Sequence, residues 1–280
     1  MLAPGEPERA DDASRPFAAV PRISLAGLPI AVIDRQQSAR LMVEVALARR
    51  GSALPPPVIT AANGQIISLC SRNAKTRSLY LQADLVHADG MPLVFASRYK
   101  SRTALPERVA TTDLFHDVAR VAELAGASFY MLGGSPAAIK SAIENVRRLY
   151  PRLAISGFAH GYFRRAGDEA NAIAAVNAAR PDILWVGMGA PLELAFAMRN
   201  RDRLPNVGVI KTSGGLFDFL SGRNRRAPHW MQSAGLEWLY RLGIEPRRLF
   251  YRYLTTNPHA LYVLLTHGSP TSGADRLSDA

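Results

Sequence analysis

Residues 183–193, Ile-Leu-Trp-Val-Gly-Met-Gly-Ala-Pro-Leu-Glu, run from a short apolar strand pattern through glycines into the start of a helix. The same passage occurs at Phe129-Tyr-Met-Leu-Gly-Gly-Ser-Pro and at Val209-Ile-Lys-Thr-Ser-Gly-Gly-Leu. In open α/β sheets, ligands bind beyond the carboxyl ends of strands, where glycine lets backbone N–H groups approach an anion. One such turn could serve chain geometry alone. Three together point to a nucleotide or sugar-phosphate site. None is a G-x-G-x-x-G fingerprint or a P-loop, which disfavours nicotinamide-dependent dehydrogenases and P-loop enzymes.

Outward from these turns, short apolar runs alternate with longer helical patterns. The pattern predicts strands at Ile30–Ile33, Pro57–Thr60, Leu85–Ala88, Ser128–Leu132, Ala154–Gly157, Ile183–Gly187 and Val207–Lys211. It predicts helices at Gln36–Arg50, Gln65–Leu81, Met91–Tyr99, Thr112–Ala125, Pro136–Tyr150, Asp168–Ala179, Leu192–Asn200 and Gly215–Leu220. Such alternation implies βαβ units around a mostly parallel, Rossmann-like sheet flanked by helices.

The chain has 280 residues, 48% of them apolar and 20% charged, enough to bury a core. Lys+Arg 34 against Asp+Glu 23 gives a net charge of +11, which calls for an anionic partner. The single cysteine, Cys70, excludes an internal disulfide and lies in an apolar helical pattern. Residues 1–21 carry four prolines and no apolar signal core, and read as a disordered leader. Residues 268–280 read as a disordered tail. No run reaches the roughly 18 apolar residues of a spanning helix. A cytoplasmic location follows as the expectation.

Residues 22–222 form the expected α/β core, and the character changes beyond it. Between Ser221 and Leu254, seven arginines face two glutamates, interleaved with Trp230, Trp238, Tyr240, Phe250, Tyr251 and Tyr253. Leu236, Leu239, Tyr240 and Leu242 share a helical period, and a second short helix is expected after Glu245-Pro246. This basic, aromatic appendage over 223–267 suits a membrane interface, where rings sit at headgroup level and Arg meets phosphate. It also suits single-stranded nucleic acid, or aromatics packed on the core beneath solvated arginines. A non-catalytic nucleic-acid-binding protein is the reading from another class, but no nucleic-acid module is recognisable.

Taken in order, AANGQ (61–65), ADGMPLVFASR (88–98), RVATTDL (108–114), YMLGGSP (130–136), GYF (161–163), PDILWVGMGAPLE (181–193), SGGLFDFLSG (213–222), RAPHWMQSAGLEWLYRL (226–242) and EPRRLFYRYL (245–254) resemble the WecG/TagA/CpsF family, bacterial glycosyltransferases of family 26. The resemblance covers roughly residues 55–255. It implies metal-independent transfer of a sugar, with inversion, from a UDP-sugar donor to a polyprenyl-diphosphate-linked saccharide in cell-surface polysaccharide or exopolysaccharide assembly. The enzyme would be bound peripherally to the inner face of the cell membrane. No cofactor and no nucleic-acid partner are implied, and the oligomeric state is open.

An inverting transfer needs a base for the acceptor hydroxyl and positive charge or N–H dipoles for the leaving diphosphate. Asp89 follows an apolar strand and matches the family's proposed base; its other reading is an N-cap for the helix near Met91. Asn63 and Gln65 match a T-x-N-x-E/Q loop of the sugar pocket, although the threonine, Thr60, stands one position away from the pattern, which has Ala61. Thr112 and Asp113 open a helix, as caps or as substrate contacts. Gly133 and Gly134 belong to a glycine turn, as do Gly189 and Pro191. The G-x-P-x-Q-E pattern is altered to Glu193 and Leu194. A carboxylate only accepts hydrogen bonds, so this departure implies a changed sugar-hydroxyl pattern and argues against copying an N-acetylmannosamine donor. Glucose is then one donor open to the protein, and N-acetylmannosamine or its uronate is the other. Gly215 and Asp218 retain G-G-x-F-D. Arg241, Arg248 and Arg252 match arginines that fold over the diphosphate, whereas Arg223, Arg225 and Arg226 are expected at the lipid surface.

Overall fold

The computed structural model describes residues 16–163 and 165–267. The expected tail over 268–280 lies outside the described residues, as do residues 1–15 of the expected leader. The last part of that leader is packed rather than disordered. Phe17 and Val20 are buried among the apolar residues of the core, because two large apolar side chains there find a hydrophobic surface to cover.

The chain opens with a hairpin, β1 (Arg22–Leu25) and β2 (Leu28–Ala31). Ala26 and Gly27 both take positive φ at its two-residue turn. The sequence pattern placed one strand at Ile30–Ile33 and missed β1, whose register against β2 is set by that turn. Helix α1 (Arg35–Ala48) follows, with the Asp34 side chain accepting from the Gln37 N–H at 2.7 Å.

The main sheet is built from β3 (Val58–Ala62), β4 (Leu85–Ala88), β5 (Ser128–Gly133), β6 (Ala154–Ala159), β7 (Ile183–Gly187) and β8 (Val209–Thr212). Its strands pair in the order β4-β3-β8-β7-β5-β6, and every pair is parallel. Strands β7 and β8 are buried along their whole length, as expected for a parallel sheet with helices on both faces.

Between β3 and β4 the pattern predicts one helix, but the structure has two, α2 (Gly64–Arg72) and α3 (Ala74–Leu81). Asn73 divides them: it leaves the helical region, and its side chain accepts from the Thr76 N–H at 2.9 Å, capping α3. The remaining crossover helices are α4 (Met91–Lys100), α5 (Thr111–Ala125), α6 (Pro136–Leu149), α7 (Asp168–Ala179) and α8 (Leu192–Asn200). Two apolar layers result, one per face of the sheet.

Helix α9 (Leu216–Leu220) closes the core, and the appendage comprises α10 (His229–Ser233), α11 (Glu237–Ile244) and α12 (Pro246–Thr266). Helix α12 is not short: it runs 21 residues, through Pro258. Its extension is explained by burial, since Ala260, Val263 and Leu264 pack into the second apolar layer. His259 Nδ1 and Ser68 Oγ of α2 lie 2.9 Å apart at the same junction. Among the described residues, no helix is long and apolar enough to cross a membrane.

Candidate active site

Because the main sheet is parallel, the loops after all its strands emerge on one edge. Those loops and the appendage enclose a cavity of about 1820 Å³. Its lining includes Asn63, Asp89, Gly134, Gly189, Gly214, Gly215, Arg241 and Arg252. The three glycine turns that decide the fold therefore converge on one space.

The turns pack backbone against backbone. A Cβ on Gly133, where φ is +145°, would lie 2.1 Å from the Gly187 carbonyl oxygen. One on Gly187 would lie 2.6 Å from the Phe217 ring. Gly133 is buried and does not line the cavity; it permits the close approach that brings Gly134 there.

Glu193, near the start of α8, clamps this arrangement. Its carboxylate accepts from the N–H groups of Met188 (3.1 Å), Gly189 (3.1 Å) and Gly214 (2.8 Å). Burial pushes the group up to about 7, opposed by these N–H donors and by Lys211. The carboxylate ties two loops together, so the change from amide to acid does not by itself imply a different sugar.

Asp89 follows β4 and opens into the cavity. It is not the N-cap of α4: that position is Gly90, with no side-chain cap bond. Its Oδ2 instead accepts from the Thr111 N–H, 3.3 Å away, at the start of α5. Burial raises its pKa, opposed by that N–H, Arg108 and Lys211. Thr112 and Asp113 cap nothing either, since α5 begins from Ala110 without a side-chain cap. Thr112 lines the cavity, whereas Asp113 does not and pairs instead with Arg226 at 2.9 Å.

Asn63 lines the cavity and caps α2, accepting from the Ile66 N–H at 3.2 Å; Gln65 lines it as well. Thr60 does not reach it. Its buried hydroxyl accepts from Thr212 at 2.9 Å beneath the floor. Pro191 is absent from the lining and forms the N-cap of α8. Asp218 lines the cavity and caps no helix.

Of the arginines expected over the diphosphate, Arg241 and Arg252 line the cavity. Arg241 lies over the Phe219 ring at 5.5 Å, and Arg252 over Tyr253 at 4.9 Å. The buried Arg252 Nε has no hydrogen-bond partner among the described residues. Arg248 lies in α12, and its side chain is outside the description.

Two arginines assigned to the lipid surface face inward. Arg223 lines the cavity and donates to Ser135 Oγ at 3.4 Å. Arg226 contacts Thr112 and pairs with Glu237 at 3.0 Å. Acidic partners on the core and on α11, Asp113 and Glu237, outcompete solvent for Arg226. Arg108, not singled out from the sequence, also lines the cavity and pairs with Glu237 at 2.8 Å. The only signal for it was its place in RVATTDL, since its partner lies far away in the chain.

A family model described as "Glycosyl transferase WecG/TagA/CpsF family" matches residues 23–272. Two similar proteins carry the name N-acetylglucosaminyldiphosphoundecaprenol N-acetyl-beta-D-mannosaminyltransferase. The one from Bacillus subtilis (strain 168) is 30% identical over 207 residues, covering 74% of this chain and 78% of that protein. The one from Bacillus spizizenii (strain ATCC 23059 / NRRL B-14472 / W23) is 30% identical over 209 residues, covering 75% and 79%.

Proposed function

This chain belongs to the WecG/TagA/CpsF family of glycosyl transferases, and we propose that it moves a sugar, with inversion and without a metal, from a UDP-sugar to a polyprenyl-diphosphate-linked saccharide. The observation that carries the reading is the meeting of Asp89, the glycine turns and the appendage arginines in one cavity.

Asp89 is the base. It takes the acceptor hydroxyl proton as that oxygen bonds to the anomeric carbon, while the bond from that carbon to the diphosphate oxygen breaks and UDP leaves. The loop N–H groups and Arg241, Arg252 and Arg223 answer the charge on the departing diphosphate. Arg248 is proposed to join them. The names of the relatives favour N-acetylmannosamine as donor sugar and diphosphate-linked N-acetylglucosamine as acceptor. With Glu193 committed to loop N–H groups, nothing in the site argues against that donor.

Trp230, Phe250, Tyr251 and Leu254 are exposed on the appendage. With Arg225 and Arg247 they would rest on the inner membrane surface, holding the cavity mouth at the lipid-linked acceptor. A panel of UDP-sugars, assayed by UDP release with a short-chain polyprenyl-diphosphate N-acetylglucosamine, tests the reading. UDP–N-acetylmannosamine should be consumed only when acceptor is present. Consumption of no donor at all sinks it.

A further inference from the structure

Asp89 follows β4, an edge strand of the main sheet, and the glycine turns follow β8, β7 and β5, all to one side of it. A donor laid along those turns leaves the other side of Asp89 for the acceptor. That side is bounded by α4, which starts two residues after Asp89, and by α12, which packs against α2 and α4. The join is close. A Cβ on Gly90 would lie 3.6 Å from the Asn63 Cβ, and one on Gly64 would lie 3.5 Å from the Ala260 Cβ. Asn63, Gly64 and Ala260 thus bridge the start of α4 to the last turns of α12. At the other end of α4, Lys100 Nζ donates to the carbonyl oxygens of Leu265 and His267. The two helices therefore run side by side, away from the cavity.

Along this seam large apolar groups stay in contact with water. Pro92 and Leu261 line the cavity and are exposed. Beyond the cavity, Phe95 and Tyr99 on α4 and Leu265 on α12 continue the row, all three exposed. The spacing 92, 95, 99 keeps one helix face, as does 261, 265. From Pro92 to Tyr99 the helix advances about 10 Å. Contiguous exposed apolar surface of this kind marks a place where something docks. Neither helix carries an acidic residue, and Arg98 lies over the Phe95 ring at 5.9 Å, so an anionic, lipid-bearing partner meets no opposing charge from them.

We propose that the seam between α4 and α12 seats the first units of the acceptor's polyprenyl chain, with Pro92 and Leu261 at its cavity end and Phe95, Tyr99 and Leu265 along it. This rests on the chain transferring a sugar to a polyprenyl-diphosphate-linked saccharide at Asp89. The occupant follows from continuity: the row begins inside the reaction cavity, two residues from the base, and leads outward. A flat bilayer would cover the outer part of the row and would not reach its cavity end. The saccharide would then enter with its lipid already threaded, which turns its hydroxyl toward Asp89.

The test compares two acceptors dissolved without vesicles, N-acetylglucosamine on methyl diphosphate and on farnesyl diphosphate, with the donor that the UDP-sugar panel identifies. The farnesyl acceptor should be used with a kcat/KM about tenfold or more higher, since apolar surface is buried only with the chain present. The double variant Phe95→Ser, Leu265→Ser, both exposed positions outside the cavity lining, should bring that ratio close to one. Equal use of both acceptors by the wild type overturns the proposal. So does a double variant that loses binding to anionic vesicles yet keeps the wild-type ratio, because the row then faces the bilayer alone. A second measurement needs neither turnover nor a substitution. A farnesyl diphosphate N-acetylglucosamine with a diazirine on its second isoprene unit, irradiated with the full chain, should label peptides of α4 and α12. Labelling elsewhere, or none, overturns the proposal. Labelling of the seam in a chain that consumes no UDP-sugar leaves the seat standing and removes the transferase reading instead.

Discussion

The floor and the roof of the cavity are built on opposite principles. The floor is backbone packed on backbone, with Gly133 against Gly187 and Gly161 against Gly133, and Glu193 binding the loops from within. The roof buries no residue fully in either α10 or α11. It is joined to the floor by charge: Arg108 and Arg226 of one network meet Asp113 and Glu237. Helix α12 buries Leu249 near its start and, at its far end, Ala260, Val263 and Leu264 within the second apolar layer. The division suits the proposed chemistry. A base must be placed to a fraction of an ångström, whereas arginines that cover a diphosphate must also release it.

The largest effect should come from the floor's reactive group. Asp89→Asn should slow transfer by about 10²–10⁴-fold while the thermal unfolding midpoint stays near wild type. UDP release and calorimetry on the same preparation read both. Next comes floor packing. Gly133→Ala, forcing a Cβ into the Gly187 carbonyl at positive φ, should cost about 2 kcal/mol or more of unfolding free energy. The matching change in the roof, Gly243→Ala in α11, meets nothing within 4 Å and should be neutral or slightly stabilising. Urea melts of the two variants compare the regions directly, and equal losses would break the distinction.

Smaller changes should follow in the roof. Arg241→Ala and Arg252→Ala should each weaken use of the UDP-sugar by about tenfold in kcat/KM without altering the melt. Glu237→Gln removes the acid shared by Arg108 and Arg226. Partly exposed pairs of this kind contribute about 1 kcal/mol or less. Amide exchange should therefore quicken in α11 by a few fold and stay unchanged in β5 and β7. Faster exchange in the floor strands would show that roof and floor are one cooperative unit.

The same division decides what could be read from the sequence. The floor was legible because its signals are local: an apolar run, glycines and a helix start lie within a dozen residues. Strands β4 and β7 and helices α7 and α8 fall where the pattern puts them. Hairpin strand β1 was not legible, since its evidence is a register fixed by two positive-φ residues. Thr60 and Gly133 lie near the cavity in sequence but below it in space, because strand alternation and close packing turn them inward. The roof was the least legible. Arg226 and Arg223 look like surface charge until Asp113 and Ser135 are brought beside them from more than eighty residues away.

The central claim is transfer with inversion, by Asp89, onto a lipid-linked acceptor. Wild-type enzyme, UDP–N-acetylmannosamine and a short-chain polyprenyl-diphosphate N-acetylglucosamine on anionic vesicles test it in one tube, with released UDP and the product's anomeric configuration read together. The account predicts one UDP released per acceptor consumed and a β-linked product. An α-linked product, or UDP released with free sugar and intact acceptor, would contradict it.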